Sequence, residues 1–262
     1  MKYTSKLIQQ IFGGFVLLML FSLVSMPSLS AQDDQWPEFE EKKERRTTYI
    51  SKKYKRNALS TYWGGIDIGI NGYMNDGDFN LTGDLDALEL NYGRSIELNI
   101  NLVEQQIDLY KNFINITYGP DLTFNWYNFT NDITLVPGPD MVTIVEENIE
   151  FDNNRLYNFG ISIPVMLNFQ TGHGYNNNNF RVGVGAYGGV LLTTNQRQKF
   201  DGTKVKVKDD FNQNKFHGGL RAELGIGPVN FYTTYSLSTF FKEGEGPDLN
   251  RFSIGLSLFR WE

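Results

Sequence analysis

Tyr157-Asn158-Phe159-Gly160-Ile161-Ser162-Ile163-Pro164-Val165-Met166-Leu167-Asn168-Phe169 decides the fold. Tyr157, Phe159, Ile161, Ile163, Val165, Leu167 and Phe169 are aromatic or aliphatic, and the residues between them are mostly small or polar. A period of two marks a β-strand, whose successive side chains point to opposite faces. Seven further stretches alternate in the same way, at 62–71, 95–102, 114–126, 180–192, 216–226, 229–241 and 252–258. The connections also alternate. Those at 75–93, 127–154 and 194–214 are long, that at 242–250 is intermediate, and those at 104–112, 170–179 and 227–228 are short. Eight dyad-repeat strands with long loops at one end and short turns at the other predict an all-β, eight-stranded antiparallel up-and-down transmembrane β-barrel.

The composition agrees with that reading. The chain has 262 residues, no cysteine, 26 glycines, 15% aromatic residues and a formal charge of −6. Without cysteine, a disulfide scaffold, a thiol enzyme and a cysteine zinc site are excluded. An acidic balance provides no uniform basic surface, so no nucleic-acid partner is expected. Residues 1–31 carry Lys2 and Lys6, an apolar run at 11–24, Pro27 and a small-residue end. This reads as a cleaved secretory signal peptide, because the run is shorter than the ~20 residues a spanning helix needs. Removing Lys2 and Lys6 leaves 22 basic against 30 acidic residues, a charge of −8. Residues 32–60 hold eight Lys or Arg and six Asp or Glu with few aliphatics, and read as a charged periplasmic tail. The barrel is expected over 61–262.

A secreted lipocalin-like barrel would also have eight strands, but it hides its apolar face and shows charge to water. Here the polar faces are built from glycine, serine and asparagine with scattered ions and no lysine, which suits a narrow lumen. The apolar faces carry Tyr62, Trp126, Tyr157, Phe169, Phe180, Phe241 and Phe252 near strand ends, as an interfacial girdle would. The apolar face is therefore expected to meet lipid, with both chain ends on the periplasmic side.

The 159–169 phrase, followed by Val182-Gly183-Val184-Gly185-Ala186-Tyr187-Gly188-Gly189, resembles the central strands of PorT-type outer-membrane β-barrel proteins of the Bacteroidota. Residues 64–71 and 90–95 are similar to barrels of the same broad set. The resemblance covers about 61–260 and implies an outer-membrane barrel, some relatives of which assist protein secretion.

Asp67, Glu97, Asp121, Arg181, His217, Arg221 and Glu223 all fall on the polar face and form a candidate lumen network. In so narrow a barrel they are expected to pair and plug the interior; the alternative is a narrow, gated pore for small solutes. A lipid-modifying enzyme would need a histidine base, for which His173 and His217 are the candidates, with Ser95 and Glu97 level with His217. His173 lies in a glycine-flanked turn and no GxSxG phrase occurs, so no catalytic residue is expected. Gly183, Gly185 and Gly188 spell a dinucleotide-binding phrase, but inside a strand it has no such meaning. The acidic loop groups at 75–86 and 146–152 lack EF-hand spacing and read as turns, so no metal or cofactor is expected. Residues 259–262 end close to aromatics, as assembly-machinery substrates do, although the final residue is Glu262. The expected role is that of a non-enzymatic integral outer-membrane protein with an envelope structural, binding or secretion-associated function. Its expected partners are outer-membrane lipids, the assembly machinery and an envelope protein engaged by the loops or tail.

Overall fold

In a computed structural model, residues 59–258 are described apart from 80, 111–112, 172–179 and 227–228. The signal peptide, nearly all of the charged tail, the His173 turn, the 227–228 turn and the terminal 259–262 segment lie outside the described residues. The chain closes into an eight-stranded antiparallel barrel. Its first three staves are each built from two segments. These are β1 (Leu59–Tyr62) with β2 (Gly65–Met74), β3 (Ile96–Asn101) with β4 (Glu104–Tyr110), and β5 (Ile114–Tyr118) with β6 (Asp121–Asn128). A small hairpin, β7 (Ile133–Val136) and β8 (Thr143–Glu146), occupies the next loop. The fourth and fifth staves are the long β9 (Asn153–Gln170) and β10 (Phe180–Phe200), and β11 (Thr203–Lys208) folds back on the end of β10. β12 (Phe216–Ile226), β13 (Val229–Thr239) and β14 (Asn250–Leu258) complete the wall.

Each stave pairs with its neighbours in sequence, and β14 returns to β2 with Ile254 opposite Ile70. Closure removes the free sheet edge that an open sheet of this polarity would expose. The expected strand count and order are what the structure shows. The strands run further than the alternation suggested: β1 starts at Leu59, and β4 extends the second stave to Tyr110.

Polarity is inverted relative to a water-soluble barrel. Ile68, Ile70, Val184, Leu220 and Ile254 face outward and are 44–57% exposed, whereas Asp67, Asn71, Asn115, Ser236 and Ser253 face inward and are at most 1% exposed. The first three staves share an interruption at one level. Pro120 has no N–H for the ladder but its carbonyl accepts from Leu102 at 3.1 Å, and a Cβ on Gly119 would meet the Val103 carbonyl at 1.8 Å. Below this level the alternation of the second stave shifts by one residue, so that Asn101 and Glu104 are both buried. Tyr62 is carried with it: its hydroxyl donates to Glu104 at 2.9 Å, so it belongs to the lumen wall and not to the expected girdle.

Phe241 also leaves the expected girdle, being 2% exposed in a hydrophobic core at the long-loop end. That core gathers Leu88, Leu90, Phe129, Ile133, Leu135 and Phe211 from the loops onto Tyr73, Tyr127 and Phe240. The Tyr127 and Phe240 rings meet edge-on at 5.3 Å. The β7–β8 hairpin is clamped by Gln196, whose amide accepts from the Leu135 N–H at 2.9 Å and donates to the Ile133 carbonyl at 2.9 Å. Further across, the Val142 N–H donates to the Glu245 carbonyl at 2.9 Å, and Lys242 lies 3.4 Å from Asp210 and 3.2 Å from Glu245. The long loops thus form a folded cap rather than solvated arms.

Two predictions concern the cap. Ile133→Ala should destabilise it by about 2–4 kcal/mol and open the 133–146 segment to protease while the β-sheet circular-dichroism signal of the barrel is retained. Desolvation opposes the Asp210 carboxylate, but the Asn212 backbone amide and Lys242 outweigh it and hold its pKa below the ordinary 3.8. The Asn212 side chain, then Lys242, holds Glu245 below its ordinary 4.5. Both groups are depressed in the folded state, so their contribution is present above the ordinary carboxylate range and is lost as pH falls through their folded values. Amide protection at Val142, Asn212 and Lys242, corrected for intrinsic exchange, should fall below that range and hold at neutral pH.

Candidate functional site

The lumen is where the chemically active side chains converge. Arg221 projects inward from β12 and reaches across to β2, where its Nη2 lies 2.7 Å from Asp67 Oδ2. Its Nε lies 2.8 Å from Glu223 Oε1, two residues along the same strand. All three residues are buried, and the Arg221 guanidinium lies over the Tyr232 ring at 4.8 Å. Tyr232 then donates its hydroxyl to Glu97 Oε1 at 3.1 Å, and the same carboxylate accepts from Ser253 at 2.9 Å and from Asn99 at 3.0 Å. One chain of polar contacts therefore links β12, β2, β13, β3 and β14. Burial of these charges is sustainable because each named carboxylate has a cation or several donors within hydrogen-bond reach.

Four of the seven expected residues, Asp67, Glu97, Arg221 and Glu223, join this network. The other three lie elsewhere in the lumen. Arg181 sits at the short-turn end, where it donates to Asn230. Asp121 is buried midway and lines two cavities. His217 is higher up, its ring 6.2 Å from that of Tyr187. The Ser95 hydroxyl, level with His217 in the sequence reading, accepts from the Asn128 backbone N–H at 3.0 Å. Glu97 is taken up by Tyr232, Ser253 and Asn99. His217, Ser95 and Glu97 are not brought together as a triad.

Alternation alone placed Tyr232 on the polar face, and an aromatic residue among polar positions was the available signal of its bridging role. Arg251 was missed because it precedes the first clearly alternating residue of its strand. It is buried, donates to the Phe240 carbonyl at 3.3 Å and lies over the Phe240 ring at 4.8 Å. It therefore ties the lumen to the cap.

Inner-wall glycines provide the room these side chains fill. A Cβ on Gly69 would stand 2.6 Å from the Tyr232 hydroxyl, one on Gly225 would stand 2.8 Å from Arg181 Nη2, and one on Gly189 would stand 2.7 Å from His217 Nε2. The glycines of the dinucleotide-like phrase lie within β10, as the strand reading required. Two cavities of about 50 and 20 Å³ lie among these side chains, both lined by Arg221 and Asp121. The larger is big enough for a few water molecules and too small for an organic solute. Among the described residues no cluster of three or more metal-ligating side chains occurs. The 75–78 acidic segment is a tight turn, with Asp76 and Gly77 at positive φ and Asn75 and Asp78 joined by paired backbone bonds. No protein-family model, curated protein or solved structure matches the chain.

Arg221→Ala should cost about 3–5 kcal/mol by leaving Asp67 and Glu223 buried without a counter-charge. Arg221→Met combined with Asp67→Asn and Glu223→Gln should recover most of that loss. The midpoint of thermal unfolding followed by circular dichroism measures both. Equal stability of Arg221→Ala and the wild type would remove the ion network as a structural element.

Proposed function

We propose that this protein is a non-enzymatic integral protein of a Gram-negative outer membrane, with both termini in the periplasm. Its lumen is closed, and it works through the surface that its long-loop cap presents. The carrying observation is the inverted polarity of the barrel, a band of exposed aliphatic side chains outside and a paired ionic network within. An apolar exterior is favourable in hydrocarbon and costly in water. The cap supports the same orientation, since a compact hydrophobic core such as that around Ile133 and Phe240 gains stability from water around it. The resemblance to PorT-type barrels and the signal-like start agree with an outer-membrane address in a member of the Bacteroidota. They suit an envelope structural, binding or secretion-associated role. Outer-membrane lipids and the assembly machinery are then obligatory partners, and an envelope protein docks on the cap or the tail.

A narrow pore is the second reading. It draws on the two cavities that Arg221 and Asp121 both line. Planar-bilayer recording of the purified full chain separates the two readings. The closed lumen predicts a silent bilayer at neutral pH, and steady conductance steps of one reproducible size would establish the pore instead. Partitioning decides the membrane assignment itself: the folded chain should remain with the membrane pellet after carbonate extraction, and release into the supernatant would overturn it.

A further inference from the structure

One face of the β9–β10–β11 extension is strongly basic in a chain whose overall charge is negative. Register places Arg155, Arg197 and Lys206 in one cross-strand row and Lys199 beside Lys204 in the next. Lys208 stands in the row below, with Asn195 and Tyr157. Directly opposed residues of an antiparallel pair share a face, so all six cations point the same way. The opposite face, with Leu156, Gln196 and Gln198 buried under the β7–β8 hairpin, is the inward one. The cations therefore face outward.

Like charges directly opposite one another on a sheet are destabilising. Of these six cations only Lys199 has an acidic partner within ion-pair distance among the described residues, Asp152 at 2.9 Å. Arg155 stands directly opposite Arg197, so two guanidinium groups share one cross-strand position. Protection of an edge strand accounts for lysines on β11. It does not account for Arg155, which lies on an interior strand with β6 on one side and β10 on the other.

The basic face is continuous with the apolar exterior. Tyr157 is two residues from Arg155, about 7 Å along the strand, and its ring packs with Trp126 at 5.6 Å. Trp126 and Phe124 stack at 6.3 Å, and Phe124 touches Phe159 at 5.0 Å. The Arg197 guanidinium lies over the Tyr157 ring at 5.2 Å, bridging the aromatic girdle and the cations above it. A ligand fitted to this surface has acyl chains against Phe159 and Tyr157 and anionic oxygens at the height of Arg155, Arg197 and Lys206. Arginine forks match phosphate bidentately, and lysines add point charges.

We propose that this face binds the phosphorylated headgroups of lipids in the leaflet on the long-loop side. This rests on the membrane reading above. The full chain reconstituted in phosphatidylcholine nanodiscs would be titrated with diphosphorylated lipid A and with the same lipid lacking phosphate, and retention read by native mass spectrometry. The wild type should retain the phosphorylated form, and the triple variant Arg155→Gln, Arg197→Gln, Lys206→Gln should lose about tenfold or more in apparent affinity. The phosphate-free lipid should bind both proteins equally weakly, and inorganic phosphate should not displace the bound lipid.

Should the triple variant fail to fold, the edge variant Lys204→Gln, Lys208→Gln should show a smaller loss in the same assay. Equal retention of the two lipids by the wild type, or unchanged retention by the variants, would overturn the proposal while leaving the barrel in its membrane. Displacement by inorganic phosphate would overturn the lipid as the source of the anion. Failure of the wild type to enter nanodiscs would overturn the membrane reading and this proposal together.

Discussion

Parity along a closed ladder governs this molecule. Once β14 pairs with β2, each residue of a stave is committed to hydrocarbon-like exterior or cramped interior by whether its position is odd or even. A slip of one residue would exchange the two sets. The closed ladder also pairs the wall's backbone donors and acceptors without water, which an open sheet with free edges could not do in an apolar surrounding. Parity shifts at the belt of Trp63-Gly64 and Leu102-Val103, and again at the bulge between Leu191 and Thr193 on β10. Tyr62 and Glu104 turn inward at the belt as a pair, so the shift keeps polar atoms together.

The interior follows from the same commitment. Eight strands enclose too little space for a water column, so inward side chains must fill it and satisfy one another. The chain meets this with complementary volumes. Gly69 yields to Tyr232, Gly225 to Arg181 and Gly189 to His217, and in each case a methyl group would collide with the side chain opposite. Arg221 is suited to the centre because its planar fork serves two carboxylates on different segments while its face rests on Tyr232. A lysine there would offer a point charge and no face to stack.

Periodicity made the wall legible. The Tyr157 to Phe169 stretch and its seven counterparts carry the strand count, the strand order and the inward set, because a two-residue period is a local property. Asp67, Glu97, Arg221 and Glu223 could be placed on one face in this way, but not in one cluster. Their contacts span as many as 156 positions in sequence, as from Ser253 to Glu97, and depend on which staves become neighbours across the lumen. Arg251 and the break that redirects Tyr62 escaped for a related reason: both sit where alternation starts or fails. The cap was least legible. Its loops look acidic and turn-rich, and the apolar residues that build its core, such as Leu88, Ile133 and Phe211, are spaced without any period. Nothing local shows that they meet.

Cap and lumen are mechanically one body, and Arg251 is the reason. Its guanidinium lines the larger lumen cavity, while one of its nitrogens holds the Phe240 carbonyl and its plane covers the Phe240 ring inside the cap core. Phe240 packs in turn on Tyr73 and Tyr127, which rise from the barrel wall into that core. Lifting the cap would strip Arg251 of its acceptor and its ring and leave a buried charge facing the cavity, an outcome costly enough to keep the two coupled. The loops are thereby held in one arrangement by the barrel's own interior. A surface preorganised in this way can engage a partner without first losing the conformational freedom of loose loops, which is the condition under which modest contact areas yield useful affinity.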